Sequence, residues 1–151
     1  MGQKEDMTRI YLDTCCYNRP FDDQSQIRIY LETEAKLYIQ EKIKKSFYIL
    51  VWSYMLDFEN LQNPYEDTRN AIQAWKNIAK IHCHSSEEIL SVGKVIEKLG
   101  ILPKDALHLA CAVQCDCEYF ITTDVRLLKK KVDNIVIVNP INFIMETEEK
   151  R

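Results

Sequence analysis

The chain has 151 residues, the length of one domain built on one core. Hydrophobic residues make up 46%, enough for a packed interior, and with only 3 Gly and 4 Pro there is little material for flexible linkers. Lys plus Arg number 20 against 23 Asp plus Glu, a formal net charge of −3, which argues against nucleic-acid binding by bulk positive charge but not against an acidic site neutralised by metal.

In chain order, residues 8–12 (Thr-Arg-Ile-Tyr-Leu) predict a short strand that stops at Asp13-Thr14. The carboxyl ends of strands are where open α/β sheets place their sites. Residues 18–24 (Asn-Arg-Pro-Phe-Asp-Asp-Gln) predict a loop, with Asp22 or Asp23 as N-cap of a long helix running to about Lys45. Ile27, Tyr30, Leu31, Glu34, Leu37, Tyr38 and Glu41 recur along it at near-helical spacing. The continuous apolar run 47–52 predicts a central parallel strand covered on both faces. Ser53 then caps a short helix over 54–61 that carries Asp57 and Glu59. Two positions apart, these acids point about 200° away from each other, so only one can face a given cleft.

After Asn63-Pro64, residues 65–80 predict an amphipathic helix with Ala71, Ile72, Trp75, Ile78 and Ala79 inward. Residues 81–84 predict an edge strand. Ser85-Ser86-Glu87-Glu88 starts a further helix that Gly100 ends. The stretch 103–112 (Pro-Lys-Asp-Ala-Leu-His-Leu-Ala-Cys-Ala) predicts a largely buried helix of small residues with a carboxylate, Asp105, in its first turn. A strand follows over 118–122, then Thr123-Asp124, a short basic helix over 125–132 with Arg126, Lys129, Lys130 and Lys131, a last strand over 134–138, and a closing turn or helix over 140–145. Residues 146–151 predict a charged, frayed tail. Strands alternating with helices predict a parallel sheet flanked by helices, an α/β Rossmann-like architecture over 1–151.

Residues 1–7 are polar and lack the apolar core of a secretory signal, and no segment approaches the roughly 18 apolar residues of a membrane span. The six cysteines therefore predict free, buried thiols in a reducing, cytoplasmic setting. Cys115-x-Cys117 lacks the two-residue gap of common zinc and redox motifs, and His82-Cys83-His84 has no second ligand pair at finger-like spacing. Neither a P-loop nor a G-x-G-x-x-G is present.

Asp13 and Asp124 each follow a predicted strand, and Asp105 opens a helix. Gathered in one cleft, such carboxylates repel one another and raise each other's pKa, which hard divalent cations with a preference for oxygen ligands relieve. The chemistry that suits this arrangement is metal-assisted hydrolysis of a phosphodiester.

These residues together resemble a PIN domain, a family of metal-dependent nucleases that includes toxins of prokaryotic toxin–antitoxin pairs. The matching pieces are Tyr11-Leu12-Asp13-Thr14, the segment from Ser53 to Glu59, Asp105-Ala106-Leu107-His108-Leu109-Ala110 and Thr122-Thr123-Asp124. They come in order across nearly the whole chain. The resemblance implies a single PIN-like domain and a ribonuclease that cleaves RNA with Mg²⁺ or Mn²⁺ held by Asp13, Glu59, Asp105 and Asp124. It selects Glu59 over Asp57 as the helix acid and places the hydroxyl of Thr122 near the site. It also implies an antitoxin or other protein partner and a homodimer.

The loop after Asp13 departs from the small-toxin pattern. Its Asn18 and Arg19 are candidates to touch a substrate phosphate, the alternative being an Arg19 paired with Asp22 or Asp23. His108 lies about one turn beyond Asp105, and packing inside the helix accounts for it. Two other readings stay open. One is a catalytically weak PIN-like module for nucleic-acid binding or protein interaction. The other is a phosphotransfer domain with Asp13 as nucleophile and Lys104 as the nearby cation.

Overall fold

The structure is a computed structural model that describes residues 7–149. Residues 1–6 and 150–151, which hold most of the polar N-terminal stretch and the end of the charged tail, lie outside the described residues.

The sheet has five parallel strands, β1 (Arg9–Leu12), β2 (Ile49–Ser53), β3 (Ile81–Cys83), β4 (Tyr119–Ile121) and β5 (Val136–Val138), in the order β3-β2-β1-β4-β5. The first strand is thus the central one. Ile10, Tyr11 and Leu12 are fully buried, as a strand covered on both faces requires. The Tyr11 ring stacks on Phe120 of β4 at 5.2 Å between centroids. Each such burial stabilises the fold by about 1.5–3 kcal/mol. The chain winds one way through β2 and β3, then returns to the other side of β1 for β4 and β5. The carboxyl ends of β1 and β4 therefore meet at a switch point, where α/β sheets open a crevice.

The helices are α1 (Thr14–Asn18), α2 (Ile27–Lys44), α3 (Tyr54–Leu61), α4 (Glu66–Gln73), α5 (Trp75–Ile78), α6 (Glu87–Glu97), α7 (Pro103–Gln114), α8 (Val125–Leu128) and α9 (Pro140–Glu148), with a 3₁₀ turn over Arg19–Phe21. They form, with the sheet, a single α/β domain. Among the described residues no helix is long and apolar enough to cross a membrane. α6 packs closely on α7 because residue 93 is glycine. A Cβ there would lie 3.2 Å from Leu107 Cδ2.

Several local expectations are corrected. The loop expected over 18–24 is mostly helical, and neither Asp22 nor Asp23 caps α2, whose N-cap is Gln26 without a side-chain bond. Asp23 instead accepts from the Ser25 backbone N at 3.0 Å and from its hydroxyl at 2.8 Å, closing the turn before α2. The helix expected over 65–80 is two helices with a break at Ala74, and Ala71 is exposed. The break re-aims the chain so that Lys80 N reaches Leu50 O and Ile81 can pair with β2. The basic helix over 125–132 stops at Leu128, so Lys129–131 do not share one helical face. The final helix continues through Glu148, so the charged residues from Glu146 to Glu148 extend it.

α2 is the largest surprise. The apolar stripe marked by its spacing faces outward, with Ile27 70% exposed and Tyr30, Leu31, Leu37 and Tyr38 also exposed. Its inner face buries Glu32, Lys36 and Gln40 among Thr33, Ala35, Ile39 and Ile43. Glu32 is the anchor. Its carboxylate accepts from Arg19 Nε at 2.8 Å and from Arg28 Nε at 2.9 Å. Lys36 lies over the rings of Tyr17 and Trp75, and burial brings its pKa down to about 8.

Candidate metal centre

Asp13 leaves the end of β1 and caps α1, its Oδ1 accepting from Thr14 N at 2.8 Å. The β1 ladder carries it there, since Asp13 N donates to Ile121 O of β4 at 2.9 Å. Its other oxygen, Oδ2, accepts from the Thr122 hydroxyl at 2.8 Å and from Cys15 Sγ at 3.6 Å. That hydroxyl also accepts from Asp124 N at 3.1 Å. Thr122 is completely buried, so its bonds are spent locking two acid-bearing turns together rather than meeting a substrate. Asp124 caps α8 by accepting from Arg126 N at 2.9 Å.

Glu59 comes from α3, which Ser53 caps at the end of β2. The Thr14 hydroxyl donates to Glu59 Oε1, and His108 Nε2 donates to the same oxygen at 2.9 Å. Asp57 points elsewhere, as the 200° argument requires. It is held by Trp52 Nε1 at 3.0 Å, Gln73 Nε2 at 2.7 Å and Lys76 Nζ at 3.1 Å. Those donors outweigh partial burial and keep its pKa below the usual carboxylate range.

Asp13, Glu59 and His108 bring one ligand atom each to within 4.8 Å of one another, the one such group of His, Cys, Asp and Glu among the described residues. Residues 82–84 form no such group; His82 Nε2 is instead bonded to Lys76 O at 2.8 Å. Both nitrogens of His108 are already engaged, however. Nδ1 is 2.6 Å from Tyr11 Oη, and Tyr11 Oη is 2.6 Å from Ser53 Oγ. With the imidazole protonated, Nδ1–H donates to Tyr11, Tyr11 donates to Ser53, and Ser53 also accepts from Leu56 N at 3.4 Å. Burial alone would favour neutral His108, but the bond to Glu59 and the charges of Asp13, Glu59 and Asp105 win and raise its pKa. His108 therefore ties α7 to β1 and α3, and its bond to Glu59 favours the protonated ring. The same pairing, with help from Thr14 and Lys104, overcomes partial burial and lowers the Glu59 pKa.

Asp105 stands in the first turn of α7, half-buried. Among the described residues it has no hydrogen bond or ion pair. Burial, then the charges of Asp13 and Asp124, then that of Glu59, push its pKa up to about 6, with His108 opposing. Asp105 feels the charges of Asp13, Asp124 and Glu59, but it and Asp124 lie outside the group whose ligand atoms come within 4.8 Å of one another. The donor set of the four acids is carboxylate oxygen, the set that Mg²⁺ and Mn²⁺ prefer, and Asp105 brings to it a carboxylate no protein donor satisfies.

The remaining candidates are placed differently. Arg19 turns away toward α2, bonding Glu32 and, at 2.7 Å, Asp22. Asn18 lines a cavity beside Glu59, but its amide donates to Thr14 O at 3.1 Å and accepts from Asn63 Nδ2 at 3.4 Å. Lys104 lies 5.7 Å from the centroid of the Phe58 ring, and Asp13 is tied by three donors, an unpromising state for a nucleophile. Arg126 is 3.7 Å from Asp124, and Lys130 donates to Leu99 O at 3.1 Å. Sequence reasoning missed the Tyr11–His108–Glu59 chain. Its signal was the His three residues after Asp105, one turn along the same helix face.

No protein-family model matches the chain, and no curated protein matches it significantly. Solved structures do match. The crystal structure of FitAcB from Neisseria gonorrhoeae is 17% identical with a TM-score of 0.61, over 87% of this chain and 98% of that one. The crystal structure of VapBC2 from Rickettsia felis, bound to a DNA fragment from their promoter, is 11% identical with a TM-score of 0.56, again over 87% and 98%. At these identities the likeness is one of fold, and it extends over nearly the whole of the chain.

Proposed function

We propose that this chain is a PIN-type endoribonuclease that hydrolyses RNA phosphodiester bonds and acts as the toxin of a toxin–antitoxin pair. The observation that carries the reading is the cluster in which Asp13, Glu59 and His108 bring ligand atoms within 4.8 Å of one another, beside a half-buried Asp105 that has no hydrogen-bond or ion-pair partner among the described residues. Mg²⁺ or Mn²⁺ would be held by Asp13, Glu59, Asp105 and Asp124, and when bound supplies an activated water and neutralises charge at the phosphate. The chain's own residues orient the acids. Thr122 fixes Asp13 against Asp124, and His108 with Thr14 fixes Glu59. The free thiols fit a cytoplasmic enzyme. The fold shared with FitAcB and VapBC2 supports the toxin assignment.

The test is cleavage of single-stranded RNA in Mn²⁺, beside Mn²⁺ calorimetry, on wild type and Asp13→Asn. Metal-dependent cleavage and binding, both lost in the variant, are expected. Equal cleavage by both proteins would refute the assignment. A second reading, a catalytically weak interaction module, is favoured by the outward apolar stripe of α2, which suits an antitoxin or a second copy of the chain. Absence of Mn²⁺ binding at millimolar metal would put that reading ahead.

A further inference from the structure

Beside the acids lies a cavity of about 720 Å³ whose inner wall is Thr14 and Glu59 and whose outer walls carry Phe21 and Tyr65. The two aromatics are 51% and 71% exposed, although each sits on fixed backbone. Phe21 closes the 3₁₀ turn behind Pro20. Tyr65 follows Pro64, its N–H donates to Asn63 Oδ1 at 3.1 Å, and its carbonyl accepts from Arg69 N at 2.8 Å. Gln62 and Thr68 also line the cavity, and neither side chain has a hydrogen-bond partner among the described residues. The site thus offers two exposed aromatic rings and free polar groups that both donate and accept.

We infer that this cavity is a nucleobase subsite, taking an unpaired base of single-stranded RNA next to the phosphodiester bond to be hydrolysed. The inference rests on the ribonuclease reading for its substrate and adds Phe21 and Tyr65 as residues that grip it. Charge favours a base over phosphate or an acidic peptide. Asp67 lines the same cavity with no ion-pair partner among the described residues and repels anions, while Asp22 is neutralised by Arg19 at 2.7 Å, and a base is uncharged and planar. Stacking on aromatic side chains is the common device for holding unpaired bases, and amide and hydroxyl groups read their edges. Thr14 and Glu59 belong to both sites, so a strand with its phosphate at the acids has a neighbouring base at the cavity mouth.

The test is fluorescence anisotropy with the full chain in Ca²⁺, using labelled short oligoadenylate and a matched strand of abasic ribose phosphates. Wild type should bind the base-bearing strand at least about tenfold more tightly than the abasic one. Phe21→Ala with Tyr65→Ala should remove that difference, while Phe21→Tyr with Tyr65→Phe should retain it. Both residues are exposed, and matched melting temperatures establish that the variants fold. Loss of discrimination in the double alanine variant supports the subsite even where wild type cleaves no RNA, the result that would overturn the ribonuclease reading alone. Equal binding of the two strands by wild type overturns the subsite, as does unchanged binding by the alanine variant. Metal-dependent cleavage by the same protein would then leave the ribonuclease reading standing.

Discussion

Replacing Asp105 with Asn should stabilise the metal-free protein. The carboxyl rises from an ordinary 3.8 to about 6 because burial and three neighbouring acids oppose its ionisation. A shift of that size corresponds to about 3 kcal/mol at full strength, and solvent screening of a half-buried group reduces it to about 1–2 kcal/mol. The sign follows from proton binding. Below pH 3.8 the group is protonated in both states and contributes nothing. Between 3.8 and about 6 the unfolded chain ionises first, so stability falls as pH rises, and above 6 the full penalty persists. In EDTA at pH 7.5, Asp105→Asn should therefore melt roughly 3–6 °C higher than wild type, with the gap closing toward pH 4. Saturating Mn²⁺ should reverse the order, since metal at a hundred times its Kd adds about 2.7 kcal/mol to wild type alone. Thermal melts at the two pH values, with and without metal, check each arm. A variant less stable than wild type in EDTA at pH 7.5, or a gap that does not change with pH, would refute the reasoning.

Glu59→Gln should weaken Mn²⁺ binding in calorimetry, whereas Asp57→Asn should leave it intact and cost about 1–2 kcal/mol in urea unfolding, because Trp52, Gln73 and Lys76 lose a charged acceptor. Glu32→Gln should cost about 2–4 kcal/mol, because the one buried carboxylate that pairs both Arg19 and Arg28 loses its charge, and should lower Mn²⁺ affinity as well; an unchanged urea midpoint would contradict the buried pairing. Leu37→Asp should shift stability by no more than about 0.5 kcal/mol, since the side chain faces outward, and a loss of several kcal/mol would show that the helix is turned the other way.

The sheet was legible because β2, β4 and β5 are runs dominated by β-forming residues and the core of β1, Ile10-Tyr11-Leu12, ends at a polar stop. Asp13 and Thr122–Asp124 were legible for the same reason, since a carboxylate just past a buried strand has little room to be anywhere but the rim. Helix geometry allowed only one of Asp57 and Glu59 to face the cleft, and the resemblance chose Glu59. The face of α2 was not legible. Spacing identifies a helix, but it cannot say which side is inward when the inner side buries Glu32, Lys36 and Gln40 in paired or ring-stacked form. The role of His108 stayed hidden because its partners, Tyr11 and Glu59, lie 97 and 49 residues away in sequence. The break at Ala74 stayed hidden because alanine gives no stop signal; the pairing of β3 with β2 sets it.

Glu32 ties more than α2. Arg19 follows the Asp13 turn, and Arg28 reaches past Glu32 to donate to the carbonyl of Thr123 at 2.7 Å. The segment bearing Asp13 and the segment bearing Asp124 are thus both fastened to one rigid rod, besides being joined through Thr122. Two jaws on separate arms drift apart as each arm sways; two jaws bolted to the same rail move together and keep their gap. Thermal motion of these loops should carry both carboxylates as a unit, leaving the gauge between them, on which any bound cation would depend, nearly constant.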